Sequence, residues 1–213
     1  MNSERNIVII GAGGSGREFA DQLSYDMKWN VVGFLDEKIK KGTIIDGLPV
    51  LGGDSWFSGY AGNAALCLVG QPEIKPDIIE KIKSYSAYVQ FPIIINSRSH
   101  VSKYATLGEG CVVAHPFNTI CPGVHIGKHV WINERTGIGH DSRIDDYTTV
   151  YSGINIGGGT KIGAFCVIGS GVTIRPGVTI GNHVVIGGGT MVTKNVPDGV
   201  TVIGNPMRIL EKK

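Results

Sequence analysis

A histidine and an aspartate stand next to each other at positions 140 and 141, within "TGIGHDSRIDDY", residues 136–147. A neutral imidazole can take a proton from an attacking group near neutral pH, and a carboxylate beside it can hold the ring in one tautomer. The residue types and their adjacency therefore suit general-base catalysis. A single histidine is more often a structural residue, so the position of this pair in the fold has to decide between the two roles.

The remaining histidines and the cysteines do not have the spacing of a metal site. His125 and His129 form the closest pair, and no cysteine or carboxylate cluster completes a ligand set around them. The four cysteines are scattered along the chain, and we expect free thiols rather than disulfides. No Gly-x-Ser-x-Gly sequence is present, so an acyl-serine route has no support. We expect no catalytic metal.

A glycine-rich turn is the second constellation that could do chemistry. In "GAGGSG", Gly11, Gly13 and Gly16 satisfy the pattern G-x-G-x-x-G between an apolar run and a helical pattern. Asp36 lies 20 residues beyond Gly16, at the end of the next apolar run. The free N–H groups at a helix amino terminus attract a pyrophosphate, and glycines let it approach the backbone. The turn therefore predicts a nucleotide site.

Residues 1–97 alternate between strand and helix patterns, as in a small Rossmann-like domain. The runs "NIVII", "VVGFLDE", "AALCLVG" and "YVQFPIII" predict four strands, and "REFADQLSY" and "KPDIIEKIKSY" predict two helices. Alternation of this kind is typical of a parallel sheet. Four strands make only one mononucleotide-binding half, so the domain favours a nucleotide sugar over NAD.

Residues 98–213 follow a period of six. Thirteen consecutive positions spaced by six carry isoleucine or valine: Ile120, Ile126, Ile132, Ile138, Ile144, Val150, Ile156, Ile162, Ile168, Ile174, Ile180, Ile186 and Val192. This period predicts a parallel β-helix in which these residues point inward. In this frame His140 lies at a corner of a coil, whereas His125, His129 and His183 are expected on the surface.

The amino-acid composition gives no indication of a nucleic-acid partner or of membrane insertion. Of the 213 residues, 42% are hydrophobic and 18% are charged, with a net charge of +2 and no basic run, so a nucleic-acid partner is not expected. No apolar run has the length that spans a bilayer, and the first residues have no secretory pattern. We expect a cytoplasmic protein without membrane insertion.

Several segments together resemble a known family. The hexads "VHIGKH", "TKIGAF", "CVIGSG" and "VTIGNH" and the tail "VTKNVPDGVTVIGNPMRIL" resemble hexapeptide-repeat acyltransferases. With "IVIIGAGGSGREFA", "GFLDE" and the placement of "GHDSRIDDY", the chain resembles the subgroup of nucleotide-4-amino-sugar N-acetyltransferases and sialic acid O-acetyltransferases. The resemblance covers essentially the whole chain. It implies a Rossmann-like domain followed by a left-handed β-helix, in a homotrimer that binds acetyl-CoA between neighbouring subunits.

The resemblance also implies roles for individual residues. His140 is the general base and Asp141 tunes it. The nucleotide sugar is held at Gly13, Gly14, Ser15, Asp36, Glu37 and Gly70, with the acidic pair at the uridine. Acetyl-CoA contacts Thr149, Ser170 and Gly188, where Thr149 occupies the place of a histidine found in many relatives.

The expected activity is therefore transfer of acetyl from acetyl-CoA to the 4-amino group of a UDP-linked amino sugar, for bacterial surface glycans. The amine attacks the thioester directly, without an acyl-enzyme. Three alternatives remain open at this point: O-acetylation of sialic acid or a related sugar, a nucleotide-sugar-binding solenoid without catalysis, and an NAD-dependent enzyme.

Overall fold

The computed structural model describes residues 5–26, 29–59, 64–113 and 115–210. The chain divides into two compact units, Met1–Pro92 and Ile93–Lys213. The sequence-based boundary lies between residues 97 and 98, but Ile94–Ile95 already pair with Val112–Val113 of the second unit. The second unit therefore begins a few residues earlier than the period of six indicates.

The first unit is an α/β sheet with helices. Its strands are β1 (Arg5–Ile10), β2 (Trp29–Leu35), β3 (Ile44–Ile45), β4 (Leu48–Gly52) and β5 (Ala64–Cys67), in the order β3-β4-β2-β1-β5. Its helices are α1 (Gly14–Asp26) and α2 (Lys75–Tyr85), with short 3-10 helices at Asp54–Gly59 and Pro72–Ile74. The central strand β1 pairs in parallel with β2 and β5 and buries its apolar run between them. The carboxyl ends of these strands lie at one edge, where the glycine turn begins.

Two features of this sheet differ from the sequence prediction. The segment "YVQFPIII" was expected to form a fourth parallel strand, and this prediction was wrong. Gln90 makes a single parallel bridge to Ala64, and Ile94–Ile95 pair in the second unit instead. Pro92 lies between these two pairings and has no N–H to donate to a ladder. In addition, β3 and β4 form an antiparallel hairpin through Asp46 and Gly47, both with positive φ.

The second unit is a left-handed β-helix with three faces made of two- or three-residue strands. The first face contains β6 (Ile94–Ile95), β9 (Val112–Val113), β12 (Trp131–Ile132), β15 (Thr149–Val150), β18 (Val167–Ile168), β21 (Val185–Ile186), β23 (Thr201–Ile203) and β24 (Arg208–Leu210). The second face contains β7 (His100–Val101), β10 (Thr119–Ile120), β13 (Gly137–Ile138), β16 (Asn155–Ile156), β19 (Thr173–Ile174) and β22 (Met191–Val192). The third face contains β8 (Thr106–Leu107), β11 (His125–Ile126), β14 (Arg143–Ile144), β17 (Lys161–Ile162) and β20 (Thr179–Ile180).

The interior confirms the six-residue frame. All thirteen isoleucine and valine positions are at most 4% exposed. Two residues before each of them stands a second buried residue, and several of these are polar. The hydroxyls of Ser142 and Thr148 donate to the carbonyls of Gly157 and Gly163 in the next coil. Hydroxyl groups can therefore be buried here because the backbone of the next coil accepts their hydrogen bonds.

The corners of the coils also repeat every six residues. Between residues 123 and 189, the residue that stands three positions after each inward aliphatic residue has a positive φ, between 53° and 73°. Glycine occupies many of these corner positions, but Asp141 is one of the non-glycine exceptions, with φ of 58°. Aspartate and asparagine tolerate this conformation better than most side chains.

No helix within the described ranges is long and apolar enough to cross a membrane.

Candidate active site

His140 and Asp141 lie together at the corner between the second and third faces. Nδ1 of His140 is 2.8 Å from Oδ2 of Asp141. A carboxylate can only accept, so this contact places the ring proton on Nδ1 and leaves Nε2 as the acceptor in the neutral ring. The side chains are 73% and 74% exposed. The corner therefore presents a proton acceptor to solvent, as the sequence frame predicts.

The backbone of the neighbouring coils fixes this corner. The N–H of Asp141 donates to the carbonyl of Pro122 at 3.1 Å, and the carbonyl of His140 accepts from the N–H of Gly159 at 2.8 Å. These partners belong to the coils on either side. The two residues are thus held by the same ladder that builds the β-helix, although their side chains face outward.

Two glycines leave room for the pair. A Cβ at Gly158 would lie 2.7 Å from Nε2 of His140, and a Cβ at Gly123 would collide with Oδ1 of Asp141. Both glycines stand 18 residues, or three hexads, away from the residue that they accommodate. Sequence reasoning missed them, although stepping by 18 along the repeat finds both.

A concavity of about 390 Å³ runs along the second face, next to this corner. Its lining includes Cys121, Gly139, Asn155 and Thr173 from successive coils. Because the outward side chains at these positions are small, they leave a groove on this face. The groove follows the axis of the β-helix. The groove has the length of several coils, which suits an extended ligand beside His140.

A larger concavity, about 470 Å³, lies in the first unit. It is lined by Arg17, Trp29 and Asp46 among others. The Arg17 guanidinium is bound by Asp46 at 2.6 Å and 3.0 Å. Among the described residues that line this concavity there is no histidine–carboxylate pair like that of His140 and Asp141, so chemistry rather than volume locates the candidate active site.

The three residues expected at acetyl-CoA occupy other parts of the β-helix. Ser170 and Gly188 lie at the corner between the first and second faces, where a Cβ on Gly188 would be 3.1 Å from the Ser170 carbonyl oxygen. The structure thus brings these two together at the edge of the second face opposite His140. Thr149 lies on the first face and is fully buried. Its hydroxyl has no exposed surface to offer a ligand.

The other histidines do not all follow the surface prediction. His125 and His183 are exposed, but His129 is 5% exposed, so that part of the prediction was wrong. Its ring stacks on Tyr147, which stacks on Phe165, which stacks on His183, with centroid distances of 5.6, 5.2 and 4.8 Å. These rings occupy one corner of successive coils. The stack buries His129 because the repeat places aromatic rings directly above one another.

In the first unit, the glycine turn has the geometry that its pattern requires. Gly11 has φ of 98°, and a Cβ at Gly16 would collide with the carbonyl oxygen of Gly11. Gly16 therefore permits the close approach of α1 to β1. A Cβ at Gly13 or Gly14 would have no described heavy atom within 4 Å. The open side of the turn lies at these two glycines, where α1 begins and its first N–H groups lack intrahelical partners.

Other predicted nucleotide-site residues adjoin this turn. Oδ2 of Asp36 accepts from the N–H of Ala12 at 3.1 Å. Leu68 donates to the carbonyl of Ile10 at 3.0 Å, and a Cβ at Gly11 would be 3.5 Å from the Leu68 carbonyl oxygen. The segment that leads to Gly70 therefore lies beside the turn. Gly13, Asp36 and Gly70 thus belong to one edge of the sheet.

Glu37 makes contacts that the sequence did not predict. Its Oε1 lies 3.1 Å from Nζ of Lys81 and accepts from the N–H of Asp54 at 3.3 Å. Lys81 Nζ also lies 3.1 Å from Oδ2 of Asp54. The Lys81 ammonium lowers the pKa of Glu37 through this hydrogen bond, and the two carboxylates raise the pKa of Lys81. Sequence patterns could not find this cluster because its members come from distant segments.

Two family models match the chain. The PglD N-terminal domain matches residues 6–82, and the bacterial transferase hexapeptide (six repeats) matches residues 159–194. A curated relative, the GDP-perosamine N-acetyltransferase of Escherichia coli O157:H7, is 31% identical over 152 residues. That alignment covers 68% of this chain, and the chain spans 66%, just under two thirds, of the length of the relative.

Solved structures match over nearly the whole chain. The acetyltransferase domain of PglB from Neisseria gonorrhoeae, in complex with acetyl coenzyme A, is 27% identical with a TM-score of 0.89, covering 98% of this chain and 100% of that one. A mutant of perosamine N-acetyltransferase from Caulobacter crescentus, in complex with CoA and GDP-perosamine, is 25% identical with a TM-score of 0.89. It covers 97% of each chain.

Proposed function

Since the chain belongs to the hexapeptide-repeat sugar acyltransferases that carry a PglD N-terminal domain, we propose that it transfers acetyl from acetyl-CoA to the 4-amino group of a nucleotide-linked sugar. The observation that carries the proposal is the His140–Asp141 contact at an exposed corner beside the groove of the second face. Two of the relatives named above are perosamine or GDP-perosamine N-acetyltransferases, and the PglB acetyltransferase domain holds acetyl coenzyme A.

The chemistry at His140 follows from its tautomer. The amine attacks the thioester carbonyl as a neutral group and loses a proton as the C–N bond forms. Nε2 of His140 accepts this proton, and the charged ring is stabilised by Asp141 at 2.8 Å. The C–S bond then breaks, CoA leaves as a thiolate, and the imidazolium returns the proton to it. The step needs no acyl-enzyme and no metal.

The nucleotide part of the substrate is assigned to the first unit. The diphosphate lies at Gly13, Gly14 and Ser15, where the amino terminus of α1 offers N–H groups. Asp36, Glu37 and Gly70 contact the nucleoside. The sequence resemblance predicts UDP, whereas one relative is named for GDP-perosamine and a second is a complex with GDP-perosamine. The acceptor is therefore assigned as a nucleoside diphosphate sugar, with uracil and guanine as the two candidate bases.

The acetyl donor is assigned to the second face. The groove there follows the β-helix axis past Gly139, the neighbour of His140, and Ser170 and Gly188 lie at the opposite edge of the same face. The pair at His140 is largely exposed in one chain, so a second wall is needed to exclude water from the reaction. A homotrimer, in which a neighbouring β-helix supplies that wall, meets this need.

We assign the reaction to the cytoplasm.

A substrate panel tests the proposal. CoA release would be measured with acetyl-CoA and, in turn, a UDP-linked 4-amino sugar, a GDP-linked 4-amino sugar and free sialic acid. The proposal predicts turnover with at least one nucleotide-linked amine and none with free sialic acid. Turnover only with sialic acid would show an O-acetyltransferase, and no CoA release with any acceptor would indicate a binding protein without catalysis.

A further inference from the structure

The charged cluster of Glu37, Asp54 and Lys81 joins three separate segments of the first unit. Glu37 follows β2, Asp54 begins the first 3-10 helix, and Lys81 lies in the middle of α2. Lys81 is 3.1 Å from a carboxylate oxygen of each partner. The Asp54 side chain is only 9% exposed and that of Lys81 is 48% exposed, so water reaches this ion pair mainly from the lysine side. One ammonium group thus holds two carboxylates together.

The residue next to the cluster holds the glycine turn. Asp36 accepts from the N–H of Ala12 at 3.1 Å through Oδ2 and from the N–H of Lys38 at 2.9 Å through Oδ1. Its own N–H donates to the carbonyl of Gly52 at 2.9 Å. A continuous chain of contacts therefore runs from Lys81 through Glu37 and the adjacent Asp36 to the turn.

Loss of the Lys81 ammonium would act on this chain. Glu37 and Asp54 would face each other as like charges, because Oε1 of Glu37 already accepts the N–H of Asp54. Repulsion would push the Glu37 carboxylate away and displace the segment that carries Asp36. Gly53 packs directly against the Glu37 carboxylate. The carboxylate therefore has little room to move towards Gly53.

The fold does not depend on the Lys81 head group. The apolar face of α2 buries Ile79 and Ile82, at 3% and 0% exposure, whereas the Lys81 side chain is 48% exposed. A methionine at this position keeps an unbranched stem and a good helix former while it removes the charge. The ion pairs can therefore be removed without emptying the core.

We propose that Lys81 is a positioning residue for the nucleotide, which acts through Glu37 and Asp36 on the glycine turn. The inference rests on the nucleotide site of the proposed function. Lys81 itself does not touch the ligand. It sets the position of the two acidic residues and of the Ala12 N–H, and so the affinity for the nucleoside diphosphate.

The test measures equilibrium binding of UDP and of GDP to the full-length protein by calorimetry. For whichever nucleotide binds the unaltered protein more tightly, Lys81→Met should weaken binding roughly threefold to thirtyfold. Lys81→Arg, which keeps the charge, should stay within about twofold of the unaltered protein. Lys83→Met is the matched control on the same helix, where Nζ lies over the ring of Phe91, and it should bind normally.

A kinetic comparison separates positioning from general damage. Lys81→Met should raise KM for the nucleotide sugar and leave kcat and the KM for acetyl-CoA unchanged. If Lys81→Met fails to fold, Lys81→Gln supplies the same test, because it also removes the charge, keeps an unbranched polar side chain that suits a helix, and should also lower nucleotide affinity.

Three results would overturn the proposal: unchanged nucleotide affinity in Lys81→Met, equal weakening in Lys83→Met, or no binding of either nucleotide by the unaltered protein. The proposed function fails separately. If no acceptor is acetylated but the Lys81 variants change UDP or GDP affinity as stated, the positioning role stands and the catalytic assignment falls.

Discussion

Nδ1 of His140 lies 2.8 Å from Oδ2 of Asp141, the next residue in the chain, at a corner where Asp141 has φ of 58°. The corner conformation repeats every six residues, so the β-helix itself provides the turn on which the pair sits. Hydrogen bonds to the coils on both sides hold this turn. The proposed base is thereby kept in one place by a rigid scaffold.

Asp141→Asn tests the contribution of this contact. Asparagine tolerates the positive φ but carries no charge to stabilise the protonated ring, so kcat should fall. Because the pair is largely exposed, we expect a loss of roughly tenfold to a hundredfold, well below the 10⁴-fold effect of removing a buried triad aspartate. Steady-state kinetics would measure it.

Asp145→Asn is the control for Asp141→Asn. Asp145 binds Arg143 on the third face at 2.6 Å and loses the same charge when it is changed. It should keep normal kcat. An Asp141→Asn protein that is as active as this control would remove Asp141 from the mechanism.

Gly158→Ala tests whether the position of the His140 ring matters. The added Cβ would lie 2.7 Å from Nε2, so the ring must rotate away while the coil backbone stays. A displacement of about 1 Å at a catalytic group can lower the rate about 10²-fold. We therefore expect a loss of kcat of that order with an unchanged melting temperature.

Gly59→Ala is its control, because a Cβ at Gly59 would meet no described heavy atom within 4 Å. Unchanged kcat in Gly158→Ala would show that the ring orientation seen in the structure is not the reactive one.

Gly16→Ala tests the packing of the glycine turn. The new Cβ would collide with the carbonyl oxygen of Gly11, which is backbone and cannot rotate away. Overpacking of this kind lowers the free energy of unfolding by about 1–3 kcal/mol. Urea denaturation would measure the change. Gly14→Ala, at an open position in the same turn, should be as stable as the unaltered protein, and equal stability of the two variants would contradict the packing argument.

Thiol reactivity tests the burial of the cysteines. Burial raises the pKa of Cys67 and of Cys166 to about 11, and Cys111 is fully buried. Thiolate is the reactive form, so these three should react slowly near pH 8. Cys121 is partly exposed in the groove and should react first. A colorimetric thiol titration of the folded protein should count one fast group, which Cys121→Ser removes, and two or more fast groups would contradict the structure.

Local rules and regular repeats account for what could be predicted from the sequence. The six-residue period determines which residues are buried, and stepping along it places His140 at a corner. The pattern around Gly11 and Gly16 predicts the turn after β1 because it depends on adjacent residues. These features need no knowledge of distant contacts.

Features that depend on distant contacts could not be predicted in the same way. His129 is buried because rings 18 residues apart stack at one corner. The Lys81 cluster joins positions separated by 44 and 27 residues. The segment around Gln90 has strand-like composition, but Pro92 divides it between two units. The six-residue period places Thr149 on the outer side of its strand, where exposure is expected. Its full burial could therefore not be predicted from the period.

The role of His140 as the base for acetyl transfer is tested by the kcat of His140→Ala with acetyl-CoA and the nucleotide-linked amino sugar that the unaltered protein turns over fastest. We expect kcat to fall roughly 10²- to 10⁴-fold, with unchanged affinity for CoA and for the nucleoside diphosphate and an unchanged assembly state. A His140→Ala protein that turns over at the rate of the unaltered protein would show that His140 is not the base.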